Sequence, residues 1–563
     1  MSRISTMAKE EVRKQKDKET LRLDETHKNF MGGDCYNVNP LLKLKMITAS
    51  SIFGEPQYYK NDKTEKRARF DFKIILSGLL FVEECAGKTP SKIMEEAIDE
   101  ALDYDFEGTV NWAIELRNEF NMRTNPQVIM VRAAIHPKRA EINLEKQKDE
   151  ATKDWFKKAN LKVMRRADEP SVQMAYYLSI NNGKVSRCPT ILKKSWAEKI
   201  EGLDRYAIAK YKNAELGMIN TIRVCHASKG HVPELMTTGT IKVEEDKKTW
   251  ENLRSEGCRW EEILQTINMP HMARLRNIRG VATEITERDT IENYMQELKK
   301  GVPYGKQFPF RYWSAMKAVN GIQNQGVVLD GLEDCMDIAL ENMPKLKGKT
   351  MCLSDNSGSA WGAFTSEYGS VTVAEIDNLS SVITAMNSDE GYVGKFGDKL
   401  KVFDVRKRIG VLEQTKRITA RQSNDVGGCT ENGIWIFFRD AIDKKEHWDN
   451  IFIYSDQQAG HGGLYGTHGC LREYMQRGYD CKGHYINVFK LIEDYRRLVN
   501  PKVNVFCIQT AGYGDVLIPE YAYRTNILYG WTGKELKFAD TMNKLWDEYD
   551  AEVSKNENCK IWN

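Results

Sequence analysis

The chain has 563 residues and a mass of 64.7 kDa, which is enough for several domains. Hydrophobic residues make up 41% of it, the mean hydropathy is -0.56, and no apolar run reaches the roughly 18 residues that a membrane-spanning helix needs. We therefore expect a large buried core and no membrane partner. The charged N-terminus lacks the apolar stretch of a secretion signal, so we expect a cytoplasmic location.

Charge is divided unevenly along the chain. Residues 1–350 carry 58 basic and 51 acidic side chains, whereas residues 351–563 carry 25 and 29. The positive excess of the front part suits an anionic polymer as partner. The 12 cysteines never form a CxxC pair, so we expect neither a zinc ribbon nor a disulfide framework.

Residues 23–347 have the periodicity of helices. Apolar residues recur at intervals of three and four in stretches that prolines separate, such as SKIMEEAIDEALDYDFEGTVNWAIELRNEF and NPQVIMVRAAIH. Helices interrupted irregularly every few tens of residues suit stacked helical repeats. We predict an all-α repeat region over residues 23–347, preceded by a charged, solvated extension over residues 1–22.

The periodicity changes after a linker near residues 341–349. Short segments rich in β-branched and aromatic residues now alternate with helical ones; they are KTMCLS, DKLKVFDV, WDNIFIYS, KVNVFCIQT and TNILYG. This alternation predicts a Rossmann-like α/β domain over residues 348–563, with a parallel sheet covered by helices. Ligands of such sheets bind beyond the carboxyl ends of the strands.

Oxygen-bearing side chains follow the predicted strands. Asp355, Ser357 and Ser359 leave the strand KTMCLS. Thr430 precedes a predicted helix, and Asp456 ends the strand NIFIYS. Carboxylates and hydroxyls suit Mg²⁺, although the same residue types also cap helices. The five residues resemble the metal-ion-dependent adhesion site of von Willebrand factor A domains. The resemblance implies that they bind Mg²⁺ or another divalent cation and leave one position open for a ligand's carboxylate.

Other chemistries have less support in the sequence. His461, His468 and His484, with Asp456 or Cys470, are of the types that bind zinc, but their spacings are not typical of zinc sites. Two-metal hydrolysis needs several carboxylates close together, and only two are placed at the predicted site. We predict no catalytic residues and therefore no enzyme activity.

Basic and aromatic side chains cluster in the helical region. Arg223 and His226 are three residues apart, so we predict that they share one helix face, with Lys229 near the helix end. Lys210 and Lys212 flank a tyrosine, and this mixture suits phosphates and unpaired bases. An ordinary solvated surface is the alternative for each of these positions.

Three stretches of the front region resemble motifs of the TROVE domain, the module of Ro proteins; they are NFMGGDCYNVNPLLKLKMITASSIFGEPQYY, TIRVCHASKG and INMPHMARLRNIRG. A TROVE domain followed by a von Willebrand factor A domain is the order found in Ro proteins. The resemblance implies a ring of HEAT-like helical repeats that the A domain closes. Noncoding Y-type RNA would bind its outer surface, and single-stranded 3′ ends of misfolded RNA would enter its positive hole.

The same resemblance implies RNA quality control within a ribonucleoprotein, with an exoribonuclease as a partner. The residues assigned to RNA contact are Lys210, Lys212, Arg223, His226, Lys229, Arg274 and Arg276. Arg274, Arg276 and Arg279 are placed at the hole, although Arg276 and Asn277 fit equally well a role in holding neighbouring helices together. A metal-dependent protein-interaction scaffold on helical repeats, with RNA incidental, is the alternative function.

Overall fold

The computed structural model describes most of the chain, in two compact units that comprise residues 39–248 and residues 1–38 with 249–563. The described residues are 26–28, 34–50, 55, 58, 90–212, 217–241, 249–305, 307–341, 343–362, 364–366, 369–420, 425–427, 431–457, 468–479, 486–511, 516–520, 522–530 and 535–553.

The unit of residues 39–248 is helical throughout its described part. Its helices are α1 (Pro40–Ser50), α2 (Pro90–Tyr104), α3 (Phe106–Asn118), α4 (Asn125–Ile135), α5 (Lys138–Lys146), α6 (Trp155–Val163), α7 (Glu169–Ile180), α8 (Thr190–Glu201), α9 (Arg205–Tyr211), α10 (Met218–Cys225) and α11 (Val232–Thr238). They pack against helices one to four places along the chain, which is the local packing of a helical-repeat region.

A buried polar network joins four of these helices. The Gln173 amide donates to the side-chain oxygens of Gln127 (2.8 Å) and Asn160 (2.7 Å), and the Trp196 indole donates to Gln173 Oε1 (2.7 Å). All four side chains are fully buried. Because buried amides without partners are costly, this network fixes how α4, α6, α7 and α8 sit against one another.

The second unit contains the sheets. Its described elements are β1 (Thr26–Lys28), β2 (Asp34–Tyr36), α12 (Trp250–Ser255), α13 (Trp260–Thr266), α14 (His271–Glu284), α15 (Arg288–Gly305), α16 (Pro309–Ala318), α17 (Gln325–Leu340), β3 (Leu346–Asp355), α18 (Gly358–Gly362), β4 (Phe364–Ser366), β5 (Gly369–Thr372), α19 (Val373–Met386), β6 (Ser388–Phe396), β7 (Leu400–Asp404), α20 (Val411–Thr419), α21 (Glu431–Asp443), β8 (Asn450–Ser455), α22 (His468–Gln476), α23 (Val488–Leu498), β9 (Asn504–Gln509), β10 (Thr525–Tyr529) and α24 (Glu535–Val553).

A six-stranded sheet in the order β10-β9-β8-β3-β6-β7 forms the centre of this unit. All neighbouring pairs are parallel except β6 and β7, which are antiparallel. Every residue of β8 and β9 is buried, as expected for strands covered on both faces. The carboxyl ends of β3 and β8 lie side by side because these strands are hydrogen-bonded neighbours.

Helices that precede the sheet in the chain pack on it. Lys317 of α16 forms an ion pair with Glu375 of α19 (2.6 Å). Glu333 of α17 accepts hydrogen bonds from the backbone amides of Leu412 (2.8 Å) and Glu413 (3.2 Å) in the first turn of α20. The helices of residues 249–340 therefore belong to the same compact unit as the sheet.

The structure confirms the predicted fold class, a helical-repeat region followed by a Rossmann-like α/β domain. Each of the five predicted strand segments contains a strand, and none of the described helices is long and apolar enough to cross a bilayer. Three details differ from the sequence analysis. Residues 346–349 open β3 instead of forming a linker, β6 was not predicted, and the β1–β2 hairpin joins the α/β unit through a hydrogen bond from Tyr36 N to Val516 O (3.0 Å).

Gly391 in β6 lies where the sheet crosses the end of α19. A Cβ atom at this position would overlap the backbone carbonyl of Ala385, which cannot rotate away as a side chain can. We expect Gly391→Ala to lower the free energy of unfolding by about 1–3 kcal/mol, as other overpacked sites do. The midpoint of thermal unfolding measures this loss.

Gly326→Ala is the matched control, because a Cβ there meets no atom within 4 Å near the start of α17. We expect it to be neutral or to stabilise the protein by less than about 1 kcal/mol. Equal effects of the two substitutions would contradict the packing argument.

Candidate metal centre and nucleic-acid interface

The loop after β3 holds three of the five predicted metal ligands in a tight turn. Asp355 is fully buried, and its Oδ1 accepts a hydrogen bond from the backbone amide of Ser357 (2.8 Å). The hydroxyls of Ser357 and Ser359 lie 3.2 Å apart, with Ser357 buried and Ser359 exposed. This turn is anchored to the sheet because the backbone N–H of Asn356 donates to Phe396 O (2.8 Å) at the end of β6.

The end of β8 brings the second predicted carboxylate to the same edge. Ser455 donates its hydroxyl hydrogen to Asp355 Oδ2 (2.6 Å), and the next residue, Asp456, is 1% exposed. Backbone bonds extend this arrangement to the neighbouring strand, since Thr510 N donates to Ser455 O (3.1 Å). The structure therefore brings Asp355, Ser357, Ser359 and Asp456 to one edge of the sheet.

Thr430, the fifth predicted ligand, lies outside the described residues. The described residues on either side of it reach this edge: Gly433 N donates to Gly397 O (2.9 Å) in the loop after β6, and Lys399 N donates to Val426 O (2.9 Å). Val426 and Gly433 therefore lie beside the loop after β6.

Burial and like charge dominate the electrostatics of the carboxylates. Burial raises the pKa of Asp355 to about 7, and the negative charge of Asp456 adds to this rise. Hydrogen bonds from Ser455 and Ser357 oppose it. Among the described residues, no lysine or arginine forms an ion pair with Asp355 or opposes the rise of its pKa.

Helix α19 supplies a third buried carboxylate that the sequence analysis did not identify. Asp377 is fully buried, and burial followed by the charge of Asp355 raises its pKa well above the usual range. The next residue, Asn378, accepts hydrogen bonds from Ser354 Oγ (2.8 Å) and Asn356 Nδ2 (2.9 Å). Asp377 was missed because it lies on a helix and not at a strand end; the adjacent Asp and Asn on a buried helix face are the signal that was available.

The described residues contain no group of three or more His, Cys, Asp or Glu side chains placed to hold a metal by themselves. A cation at the Asp355 edge would therefore need hydroxyl and water ligands in addition to carboxylates. The histidines and the cysteine of the alternative zinc site lie outside the described part of the chain. This holds for His461 and His484 as a whole and for the side chains of His468 and Cys470.

In the helical unit, the predicted basic string is exposed but is not one helix face. Helix α10 ends at Cys225, and His226 follows it in the left-handed conformation with φ of 59°. Arg223 therefore lies on the helix, whereas Lys229 lies in the loop beyond it. That loop is held by Glu201, whose Oε1 accepts from the amides of Ser228 (2.7 Å) and Lys229 (3.1 Å).

Lys210 and Lys212 lie at the end of α9, and Lys210 is close to two tyrosine rings. Lys210 Nζ is 5.7 Å from the ring centroid of Tyr206 and 5.8 Å from that of Tyr211. The Arg166 guanidinium lies 5.1 Å from the Tyr211 ring, although Arg166 was not predicted from the sequence. Lys212 Nζ donates to the Thr240 hydroxyl (3.0 Å).

More cations adjoin Arg166 on the helical unit. Arg123 and Arg165 are exposed, and Lys199 Nζ donates to the Arg165 carbonyl (3.2 Å). Partial burial of the Arg123 guanidinium lowers its pKa, and the positive charge of Arg166 lowers it further. These residues come from separate segments of the chain, so no local sequence pattern revealed them; the Arg165–Arg166 pair was the only signal.

The sequence analysis placed Arg274 at the hole, but in the structure it is a buried packing residue. Its side chain is 6% exposed, donates to Met269 O (3.1 Å) and Asn268 Oδ1 (3.2 Å), and lies 5.3 Å from the Tyr294 ring centroid. These contacts occupy the guanidinium inside the helical packing. Arg276, two residues further along the chain, is exposed, so the two arginines lie in different environments.

The raised pKa of Asp355 gives the metal-free protein a pH dependence with a definite sign. In the unfolded chain this carboxyl ionises near 3.8, whereas the folded protein retains the proton up to about pH 7. Its contribution to stability is therefore present at low pH and is lost as pH rises through that window. We expect Asp355→Asn, which cannot ionise, to gain thermal stability relative to the natural protein between pH 5 and 8.

The measurement is the unfolding temperature of both proteins in a chelator across this pH range. A difference between them that does not change with pH, or that shrinks as pH rises, would contradict the expectation.

The structure of the chain is similar to a crystal structure of the Ro (RSR) protein of Deinococcus radiodurans, with a TM-score of 0.51 and 12% sequence identity. The match covers 78% of this chain and 93% of that chain. No protein-family model matches the sequence, and no curated protein matches it. At this identity the similarity supports the fold and not the role of any residue. The chain therefore has the fold of a Ro protein, as its sequence motifs predict.

Proposed function

We propose that this chain is an RNA-binding protein that recognises unpaired RNA through the basic, tyrosine-bearing surface of its helical unit. One observation carries the proposal: Tyr211 lies beside both Arg166 and Lys210. The ring offers a base a stacking surface, and Lys210 offers the adjacent phosphates a counter-charge, since Arg166 is already paired with Asp168 (2.8 Å). The exposed Arg223, His226 and Lys229 would extend the positive surface.

The physics of this activity is binding without bond cleavage. Cationic side chains replace the counterions of RNA phosphates, so affinity falls steeply as salt rises. Phosphate contacts carry little sequence information, whereas stacking needs bases that are not paired. Selection by strandedness is therefore the expected behaviour.

Within this class we propose noncoding Y-type RNA and the single-stranded 3′ ends of structured or misfolded RNA as ligands. Both come from the resemblance of the sequence motifs to the TROVE domain. We further propose a role in RNA quality control within a cytoplasmic ribonucleoprotein, with an exoribonuclease as partner. We also propose that the protein binds RNA without catalysing a reaction.

The RNA proposal is tested with one hairpin that carries, or lacks, a single-stranded 3′ tail. Tyr211→Leu keeps an apolar side chain but removes the ring, so we expect it to lose about 1–3 kcal/mol of binding to the tailed RNA only. Arg223→Ala/His226→Ala should weaken binding to both RNAs and lower the slope of log K against log salt by about 1 per lost phosphate contact. Fluorescence anisotropy across a salt series measures both effects.

Arg288→Ala is the matched control, since Arg288 is exposed but already pairs with Glu292 (2.7 Å) in the other compact unit. We expect its RNA affinity to equal that of the natural protein. Unchanged binding of tailed RNA by both the Tyr211 and the Arg223/His226 variants would exclude this surface as the RNA site.

We also propose that the loop edge after β3 and β8 binds Mg²⁺ or another divalent cation through Asp355, Ser357, Ser359, Thr430 and Asp456. The donor set fits, because two carboxylates and hydroxyl groups are hard oxygen ligands. The buried Asp355, with no described cationic side chain paired to it, would gain its counter-charge on binding. A bound cation would offer an open coordination position near the exposed Ser359.

A cation that binds only the folded protein must stabilise it. At about 100 times its Kd the gain is about 2.7 kcal/mol, so we expect Mg²⁺ to raise the unfolding temperature and a chelator to reverse the rise. Asp355→Ala should abolish this response and leave RNA binding largely intact. A rise of the same size in Asp355→Ala would show that Mg²⁺ acts elsewhere.

The exposed position of Ser359 also favours the second candidate function, a metal-dependent protein-interaction scaffold. In that case Mg²⁺ would orient a carboxylate of a partner at the open coordination position, and chelation would release captured partners. An unchanged set of captured proteins after chelation would exclude this function.

A further inference from the structure

Asp377 lies under the Asp355 edge on a helix that is firmly held. Thr372 caps the start of α19 by accepting from Glu375 N (3.3 Å), and Glu375 accepts in return from Thr372 N (2.7 Å). One residue beyond Asp377, Asn378 exchanges side-chain hydrogen bonds with Asn356 in both directions, at 2.9 and 3.1 Å. These bonds hold the helix that carries Asp377 against the loop after β3.

The carboxylate of Asp377 is poorly satisfied where it lies. Its Oδ2 is 3.4 Å from the Thr510 hydroxyl, and its Oδ1 is buried without a hydrogen-bond partner among the described residues. Asp355 and Asp456 both act on it with negative charge, and no described cation pairs with it. A buried carboxylate in this state is costly unless a cation compensates it.

Glu375, two residues before Asp377, is a buried acid on the same helix whose charge and hydrogen-bonding groups have partners. It is also buried, at 5% exposure, but Lys317 Nζ lies 2.6 Å from its Oε1 and Thr372 N donates to its Oε2. The fold thus provides a cation for Glu375, whereas no described cation pairs with Asp377, the other acid of α19.

We propose that Asp377 belongs to the metal centre as an outer carboxylate, which raises the affinity for a divalent cation through its charge without contacting the ion. This inference rests on the proposed cation site at Asp355. An outer position is required because Asp377, Asp355 and Asp456 are not placed to share one ion directly. Groups outside the direct ligands commonly tune metal affinity in this way.

The test is Asp377→Asn, which keeps the size of the side chain and removes its charge. We expect Mg²⁺ and Mn²⁺ to bind about 10- to 100-fold more weakly in calorimetric titrations of the full chain. In a chelator we expect the opposite effect on stability: the unfolding temperature rises, because the folded chain no longer has to keep a buried carboxyl protonated or leave its charge uncompensated. A purely structural Asp377 predicts instead a lower unfolding temperature and unchanged metal affinity, and that result would overturn the proposal.

Two further variants separate the possible failures. Glu375→Gln is the matched control: it removes a buried acid that has a partner, so it should lower the unfolding temperature and leave metal affinity unchanged. Asp355→Asn tests the underlying site. If the natural protein binds neither cation, both the site and the role of Asp377 are refuted. If Asp355→Asn loses binding while Asp377→Asn retains full affinity, the site stands and the role of Asp377 is refuted.

Discussion

The concentration of buried carboxylates at the carboxyl edge of the central sheet is the constraint on which this part of the molecule depends. Asp355, Asp377 and Asp456 are each at most 1% exposed, and carboxyl groups held this far from water raise one another's cost of ionisation. The surrounding bonds do not remove that cost. They hold the carboxylates in place, through Ser455 on one side and the paired side chains of Asn356 and Asn378 on the other. The carboxylate edge therefore lowers the stability of the fold, although its geometry is well defined.

The sequence predicted the parts of this arrangement that follow simple periodicities. Strands β3, β8 and β9 are short runs of apolar residues, and the loops after β3 and β8 contain Asp355 and Asp456 where parallel strands must end. Strand β6 was missed because its segment, SDEGYVGKF, mixes charges and glycines with few β-branched residues. Asp377 was missed because it lies on a helix: the adjacent Asp and Asn are visible in the sequence, but tertiary packing decides which face of the helix meets the loop.

The nucleic-acid surface shows the same limit more strongly. Predictions for the helical unit relied on neighbours in the sequence, so they grouped Arg223 with His226 and Lys210 with its adjacent tyrosine. The structure instead assembles cations from several helices, with Arg166 reaching Tyr211 across about 45 positions of sequence. Arg274 is the opposite case. It lies in a basic string and was assigned to RNA contact, but its side chain packs between helices. Exposure and partners, not residue type, separate the two cases.

The grouping of residues 249–340 with the sheet has a practical consequence for anyone who dissects the chain. A fragment cut at the apparent sequence boundary near residue 348 would leave Glu375 without Lys317 and the first turn of α20 without Glu333. It would also expose the faces on which α16 and α17 pack. A cut between residues 248 and 249 preserves these contacts, but it removes the β1–β2 hairpin, which belongs to the same unit and is bonded to it from Tyr36 N to Val516 O.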